Sequence, residues 1–258
     1  MSLTRADMLR ELELLPAWRL RQAAQAEPAA MQAPEVLPAA ARAGEAGNDG
    51  ETAGAAPARR ELIRQMGWDE LKQVVAGCEA CRLAQTRTRT VFGIGDEHAE
   101  WLFVGEAPGA EEDRRGEPFV GQAGQLLDNM LAAIQLKRGE NVYIANVLKC
   151  RPPQNRDPHG EEVVQCDPFL KRQVELIKPR LIVALGKFAA QSLLGGEQSI
   201  AALRGKLHDY HGVPLIVTYH PAYLLRNMPD KAKAWEDLCF ARATMRDLQS
   251  AAAAASSS

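Results

Sequence analysis

The chain has 258 residues, a formal net charge of −2 and an apolar fraction of 46%, which are ordinary values for a globular protein with one good-sized domain. No apolar run approaches the length of a membrane span, and the N-terminus lacks a charged-then-apolar signal pattern, so we expect a cytoplasmic protein without a membrane partner. The charge balance excludes a global basic field, so any recognition of nucleic acid must depend on local clusters. Five cysteines without a signal sequence favour a reducing compartment and a metal site over disulfide bonds.

The two ends of the chain differ in composition from its centre. Residues 1–21 have apolar side chains at helical spacing, which fits either a ragged terminus with transient helix, slightly favoured, or a short amphipathic helix that contacts a partner protein. Residues 22–58 are rich in Ala, Pro and Gly and contain no aromatic residue, which predicts a disordered linker. Residues 251–258 are an Ala/Ser run, for which we expect a disordered tail. The folded domain is therefore expected over residues 59–250.

Within that domain, helical and strand-like patterns alternate along the chain. Helices are predicted from apolar residues at helical spacing over Glu61–Ala76, Gly124–Leu136, Glu161–Lys178, Lys187–Leu194 and Ala232–Leu248. Short buried strands are predicted at Trp101–Val104, Val142–Leu148, Leu181–Leu185 and Leu215–Thr218. Strands separated by helices indicate βαβ crossovers, so we expect an α/β fold with three layers (α/β/α) around a central, mostly parallel four-stranded sheet. Ligands of such sheets bind beyond the carboxyl ends of the strands.

Polar residues follow three of the predicted strands. The first strand leads into a Gly/Pro-rich loop with carboxylates and one aromatic residue, Gly105–Gly121, and the second ends in amides and cations at Asn146–Arg156. The fourth strand runs into Thr218–Arg226, where His220 is fixed by the following Pro and is a candidate acid or hydrogen-bond donor. Neither a P-loop nor a dinucleotide fingerprint is present. The first loop alone fits a structural role equally well, but three polar strand ends at one sheet edge favour a functional site.

Four of the five cysteines have a spacing typical of metal ligands. Cys78 and Cys81 form a Cys-x2-Cys pair, and fifteen residues separate Cys150 from Cys166. Four thiolates can bind zinc or an iron–sulfur cluster, and spacing alone does not distinguish the two. Cys239 lies on a predicted apolar helix face, and we expect an inert core thiol there.

Taken together, these motifs resemble the family-four (type-4) uracil-DNA glycosylases. The agreement extends over roughly residues 70–248 and consists of blocks that occur in the family's order: the four cysteines, Gly105–Gly109, Glu112-Asp113, Pro118–Gly121, Asn146–Pro153 with Asn155-Arg156, and His220–Arg226. The resemblance implies a uracil-DNA glycosylase-like fold and a [4Fe–4S] cluster on Cys78, Cys81, Cys150 and Cys166. It also implies hydrolysis of the N-glycosidic bond of uracil in DNA, which leaves an abasic site.

The resemblance implies a role for each of several residues. The predicted catalytic residues are Glu106 and Asn155, which would orient water and substrate, and His220, which would contact the uracil O2 where negative charge develops. Phe119 would stack on a uracil that has been flipped out of the helix, and Asn146 would read the Watson–Crick edge of that base.

Further residues are expected to contact the substrate. Ala107 stands where the best-known uracil glycosylases carry an Asp that activates water, so either Glu106 takes over or leaving-group stabilisation suffices. Leu224 and Leu225 would fill the space left by the extruded base, and Arg226 lies beside them. Nine cations near the motifs would contact DNA phosphates: Arg82, Arg87, Arg89, Lys149, Arg151, Arg156, Arg204, Lys206 and Arg226.

Three other functions fit parts of the sequence. A uracil-binding relative that becomes trapped covalently on DNA would carry Gln in place of Ala107 and a basic loop with a reactive His, for which only His159 is a candidate. A DNA-polymerase-associated binding module is suggested by residues 1–21 and the linker, and a non-DNA hydrolase is opposed by the basic residues. We expect a monomeric, monofunctional enzyme that acts on uracil in single- or double-stranded DNA, with residues 1–21 as a candidate contact for a replication or repair protein.

Overall fold

The structure is a computed structural model that describes residues 52–256 of the chain. The expectations for residues 1–21, and for the part of 22–58 that precedes Thr52, lie outside the described residues. The described part contains nine α-helices: α1 (Thr52–Gln65), α2 (Trp68–Ala76), α3 (Ala110–Arg115), α4 (Gln122–Ala133), α5 (Gly160–Ile177), α6 (Lys187–Leu194), α7 (Ile200–Leu203), α8 (Pro221–Arg226) and α9 (Lys231–Ser256). Its six strands are β1 (Ile94–Gly95), β2 (Trp101–Gly105), β3 (Val142–Asn146), β4 (Leu181–Leu185), β5 (Leu207–Tyr210) and β6 (Val213–Thr218). Short 3₁₀ turns lie at Arg82–Gln85, Pro153–Asn155 and Met228–Asp230.

The six strands form one mixed sheet in the order β1-β3-β2-β4-β6-β5. The four central strands are parallel, as predicted, and their register places Gly105 opposite Asn146. The prediction of four strands was wrong at the edges, where β1 and β5 each pair antiparallel with a neighbour. A pattern of buried apolar residues predicts neither strand, because β1 has only two residues and β5 is largely exposed.

Apolar layers cover both faces of the sheet. Along β2, Trp101 and Phe103 pack into a core formed with α4, α8 and α9, whereas Leu102 and Val104 pack into a second core formed with α5 and α6. A third apolar cluster lies where α1 and α2 meet α5. Continuous apolar strands buried on both faces are typical of parallel sheets, and the predicted α/β/α fold is confirmed.

Several helix boundaries differ from those predicted. The predicted helix at 61–76 is two helices separated at Gly67, and α1 begins at Thr52, inside the expected linker. The last helix, α9, continues through the expected tail as far as Ser256. Alanine has the highest intrinsic helix propensity, so Ala-rich stretches whose composition predicts disorder can extend a neighbouring helix. Among residues 52–256, no helix combines the length and the apolar character needed to cross a membrane.

Candidate active site

A cavity of about 460 Å³ opens beyond the carboxyl ends of the parallel strands. Its lining includes Glu106 directly after β2, Asn146 at the end of β3, and His220 two residues after β6. Seven predicted catalytic and substrate-binding residues line it: Glu106, Ala107, Phe119, Asn146, Asn155, His220 and Arg226. The structure therefore brings together residues that are up to 120 positions apart, from Glu106 to Arg226, at the edge of the sheet where ligands bind.

Asn146 presents a buried amide to this cavity. Its residue is 2% exposed, and its side-chain Oδ1 has no hydrogen-bond partner in the described part of the chain. A side chain at Gly105 would place its Cβ 2.4 Å from this oxygen, so only glycine allows the two strand ends to approach so closely. Leaving a buried acceptor unpaired costs about 1–3 kcal/mol. The orphaned oxygen therefore indicates a ligand that brings a hydrogen-bond donor.

Phe119 supplies an aromatic face in a strained backbone conformation. Its φ of 55° lies in the left-handed region, which costs an L-residue about 1–2 kcal/mol. The ring is buried and lies 5.5 Å, centroid to centroid, from the imidazole of His220, with 30° between the planes. A Cβ on Gly124 would lie 1.8 Å from the Phe119 carbonyl oxygen, so α4 approaches this residue without a side chain. The ring of Phe119 is thus held in the cavity by a backbone conformation that an unconstrained loop would not favour.

The position of His220 determines the protonation of its ring. It caps the N-terminus of α8, and its Nδ1 accepts a hydrogen bond of 3.1 Å from the backbone N–H of Ala222. Burial, followed by the charge of Arg226, lowers the pKa of His220 to about 4. The imidazole is consequently neutral at pH 7, and with Nδ1 acting as an acceptor its proton resides on Nε2. The side chain is therefore a neutral hydrogen-bond donor.

Glu106 and Asn155 contribute a carboxyl and an amide to the same cavity. Burial, followed by the charge of Asp157, raises the pKa of Glu106 to about 7. The Oδ1 of Asn155 accepts a 2.8 Å hydrogen bond from Nε of Arg151, which leaves its Nδ2 as the donor. Ala107 lines the cavity without an ionisable group, so a carboxylate that handles water must come from a neighbour.

Leu224 and Leu225 have different environments. Leu224 is only 1% exposed and lies in the core that α8 shares with the sheet, so the prediction that it enters the DNA was wrong. Leu225 is 39% exposed and remains available for that role. Neither is among the residues that line the cavity. A six-residue helix carries one apolar face, and adjacent leucines cannot both lie on it.

The predicted phosphate contacts also need correction. Lys149 is only 1% exposed, so it cannot reach a DNA backbone. Arg156 forms a 2.6 Å ion pair with Glu162, and Arg204 forms a 3.0 Å ion pair with Asp237. Lys149 is therefore buried, and the other two cations are paired with carboxylates of the protein. The predicted contacts whose residues are exposed are Arg82, Arg89, Lys206 and Arg226.

Other residues line the cavity without having been assigned a role from the sequence. Phe188 and Tyr223 add further aromatic rings, and Glu112 and Asp157 add carboxylates. Phe188 lies in the first turn of α6, just after β4, and the rule that ligands bind at strand ends could have identified it. Asp157 lies two positions after Asn155, in a segment whose backbone turns cannot be read from residue types.

The four predicted metal ligands lie in or against one apolar cluster, at the junction of α2, α5 and the segment after β3. Three of their sulfurs accept hydrogen bonds: Cys166 from the backbone N–H of Lys149, Cys150 from Arg87, and Cys78 from Arg59. Nowhere in residues 52–256 are three or more His, Cys, Asp or Glu side chains grouped closely enough to hold a metal ion. Cys239 lies apart on α9. Four thiols beside N–H···S donors have the ligand chemistry that an iron–sulfur cluster uses.

A buried cation next to these sulfurs supports that fit. The Lys149 ammonium donates to the backbone oxygen of Asn146 at 2.8 Å and to Oε1 of Gln173 at 2.6 Å. No carboxylate among the described residues pairs with it. Burying a charge without a countercharge is strongly unfavourable. Anionic sulfurs at Cys150 and Cys166 would supply the missing negative charge.

Comparison with known proteins identifies the family. Residues 92–239 match the family model of the uracil DNA glycosylase superfamily. The Type-4 uracil-DNA glycosylase of Archaeoglobus fulgidus is 49% identical over 165 residues, which cover 61% of this chain and 82% of that protein. Its counterparts in Sulfurisphaera tokodaii and Thermotoga maritima are 44% and 45% identical, over 66% and 64% of this chain and 80% and 88% of theirs. The chain therefore belongs to the type-4 uracil-DNA glycosylases of the uracil DNA glycosylase superfamily.

Proposed function

We propose that this uracil-DNA glycosylase binds an extruded uracil in the cavity beyond its parallel strands, hydrolyses the N-glycosidic bond and leaves an abasic site in DNA. The observation that carries the proposal is the orphaned Oδ1 of Asn146, which is buried at that cavity. Extruding a base from duplex DNA costs a few kcal/mol, and the enzyme recovers this in a pocket that matches one base.

Asn146 and Phe119 distinguish uracil from cytosine. The base presents a donor at N3 and an acceptor at O4, which match the Oδ1 and Nδ2 of an asparagine amide. Cytosine presents the opposite pattern, with an acceptor at N3 and an amino donor at C4, and would leave Oδ1 unsatisfied. The ring of Phe119 provides a planar face on which the base stacks.

His220 stabilises the leaving group. Cleavage of the bond leaves negative charge on the uracil, shared with O2, and positive charge on the sugar. The neutral imidazole donates its Nε2–H to O2, and this hydrogen bond strengthens as the oxygen becomes anionic. The neighbouring DNA phosphates stabilise the cationic sugar, so the reaction requires no covalent intermediate.

Glu106 and Asn155 orient the water that adds to the sugar. In its charged form the Glu106 carboxylate accepts a hydrogen bond from water, while the Asn155 Nδ2 donates one. None of the described residues that line the cavity is a lysine, which favours a monofunctional enzyme without a Schiff-base intermediate.

We place a [4Fe–4S] cluster on Cys78, Cys81, Cys150 and Cys166. When bound, this cluster would cross-link the segments of the chain that carry the four cysteines. Cys150 lies four residues after Asn146, so the ligands fix the strand end that carries the uracil-reading amide. The same link ties the Cys-x2-Cys segment to this edge of the sheet. A structural role accounts for these contacts without redox chemistry.

The remaining partners are proposed on more general grounds. DNA phosphates are proposed to contact the exposed cations, which are Arg82, Arg89, Lys206 and Arg226. Residues 1–21 stay proposed as the contact for a replication or repair protein. A monomer in the cytoplasm is the proposed state.

The test is incubation of the pure protein with end-labelled DNA that carries one uracil, followed by alkali and a denaturing gel. We expect strand cleavage that appears only after alkali, since an abasic site is alkali-labile, and none with cytosine at the same position. Cleavage without alkali would contradict the monofunctional assignment. A shifted band that resists denaturation would instead indicate a covalently trapped relative, and no change would indicate a binding module.

A further inference from the structure

We propose that Arg138, which lies outside the cavity, is a positioning residue that holds Phe119 in the conformation that stacks on uracil. The inference rests on the stacking role proposed for Phe119. Arg138 follows α4 in a short turn and belongs to none of the family motifs in the sequence. Its side chain is 23% exposed, and it is not among the residues that line the cavity.

All three guanidinium nitrogens of Arg138 are engaged. Nη1 donates to the carbonyl of Pro118 at 3.0 Å and Nη2 to the carbonyl of Phe119 at 2.9 Å. Nε donates to Oδ1 of Asp128 on α4 at 2.9 Å. Two successive carbonyls of the loop Pro118–Gly121, here called the Phe119 loop, are thus fixed to one rigid group.

Glu112 holds the same loop through its N–H groups. Its Oε1 accepts hydrogen bonds from the backbone N–H of Val120 at 2.9 Å and of Gly121 at 3.1 Å. The Phe119 loop is therefore held by a cation at its carbonyls and by an anion at its amides. Because the left-handed φ of Phe119 is intrinsically unfavourable, the loop depends on such contacts to keep this conformation.

The geometry requires arginine. Its planar fork can satisfy two adjacent carbonyls while Nε remains paired, whereas a lysine ammonium is a single point of charge on a flexible stem. A lysine at position 138 can keep the ion pair with Asp128 and still lose one or both carbonyl contacts. Arg138→Lys thus separates the positioning role from a role in charge pairing.

The competing explanation is that Arg138 only fastens the turn after α4 to Asp128. That explanation predicts a loss of stability that is independent of Phe119. A double-mutant cycle with Phe119→Ala distinguishes the two, because residues that act through one another are non-additive.

The experiment measures single-turnover uracil release from a single-stranded oligonucleotide by five proteins: the wild type, Arg138→Gln, Arg138→Lys, Phe119→Ala and the double variant Arg138→Gln/Phe119→Ala. We expect Arg138→Gln to slow release about 10- to 100-fold, as expected for a displaced binding group, and Arg138→Lys to recover only part of it. In the Phe119→Ala background the same Arg138→Gln change should alter the rate by no more than about twofold.

Arg180→Gln is the matched control. Arg180 also pairs through Nε with a carboxylate, Glu100, at 2.6 Å, but it precedes β4 and lies at the opposite end of the strands. This variant should release uracil at close to the wild-type rate. An equal loss from Arg180→Gln, an equal loss from Arg138→Gln in both backgrounds, or full activity of Arg138→Lys would each overturn the inference.

Hydrogen exchange tests the inference without activity. Exchange of the Val120 and Gly121 amides should be at least about tenfold faster in Arg138→Gln than in the wild type, because release of the loop exposes both groups, and unchanged in Arg180→Gln. Unchanged exchange in Arg138→Gln would overturn the positioning role. If the wild type releases no uracil, the proposed function fails, and the exchange measurement still decides whether Arg138 holds the loop.

Discussion

Glu106 and His220 are ionisable residues of the cavity whose pKa values burial shifts in opposite directions. The pKa of His220 falls to about 4, so the imidazole is neutral across the neutral range. The pKa of Glu106 rises to about 7, so its carboxyl is neutral below that pH and charged above it. Since water orientation uses the carboxylate, kcat/KM for uracil release should rise between about pH 6 and about pH 8 and then level off.

A pH–rate profile of the wild type and of Glu106→Gln checks this expectation. The variant should be slow and should lose the rise near pH 7, because it has no carboxyl to ionise. A wild-type rate that instead falls between about pH 6 and about pH 8 would mean that the protonated Glu106 carboxyl is the active form, and would contradict its role as a carboxylate.

Leu224 and Leu225 provide a second contrast between single residues. Leu225→Ala should slow release from duplex DNA several-fold more than from single strands, and should leave Tm close to that of the wild type, since the side chain is exposed. Leu224→Ala should instead destabilise the fold by about 2–5 kcal/mol, because it leaves a cavity in the core. Measuring Tm together with rates on both substrates separates the two, and an unchanged Tm for Leu224→Ala would contradict its core position.

At the scale of elements, the ends of β2 and β3 must approach closely for the site to exist. The register places Gly105 opposite Asn146, and a Cβ at Gly105 would lie 2.4 Å from the Asn146 Oδ1 and 2.6 Å from Cζ of Phe119. Gly105→Ala should therefore abolish most uracil release by displacing both groups. Gly67→Ala is the matched control, since nothing lies within 4 Å of that Cβ. Wild-type activity in Gly105→Ala would contradict the close approach.

The central parallel strands could be predicted from the sequence because each is a continuous apolar run buried on both faces. The edge strands could not, since β1 is too short for a periodic pattern and β5 exposes most of its side chains. The candidate site lies at the carboxyl ends of the parallel strands, where ligands of such sheets bind. Most of its lining residues belong to the motifs that the sequence shows. Which of Leu224 and Leu225 is buried depends on the rotation of a six-residue helix, and this is too short for a periodic pattern to show it. The burial of Lys149 depends on packing against α5, which no local sequence pattern reveals.

At the scale of the whole molecule, the proposed cluster links α2, the segment after β3 and α5. Burial raises the pKa of the Cys150 thiol to about 11 and that of Cys166 to about 12, so both remain protonated at pH 7 unless a metal binds them. Loss of the cluster should therefore leave Lys149 without a countercharge and destabilise the region that carries Asn146.

Elemental analysis of protein purified without oxygen tests this link. We expect iron rather than zinc, and loss of most of the iron in Cys150→Ser, with a lower Tm. Lys149→Met should also retain less iron, because it removes the buried positive charge beside the sulfurs, whereas Lys206→Met on the exposed surface should retain it fully. A stoichiometric zinc content in colourless protein would contradict the cluster assignment.

The most direct test of the uracil pocket is single-turnover release of uracil by Asn146→Ala and His220→Ala, with Tm measured in parallel. Each variant should be slower by about 100-fold or more, since each loses a hydrogen bond made to the base or to its developing anion. Because Asn146 Oδ1 has no partner within the described residues, Tm of Asn146→Ala should stay near that of the wild type. Wild-type turnover in both variants would contradict the assignment of this cavity as the site of uracil excision.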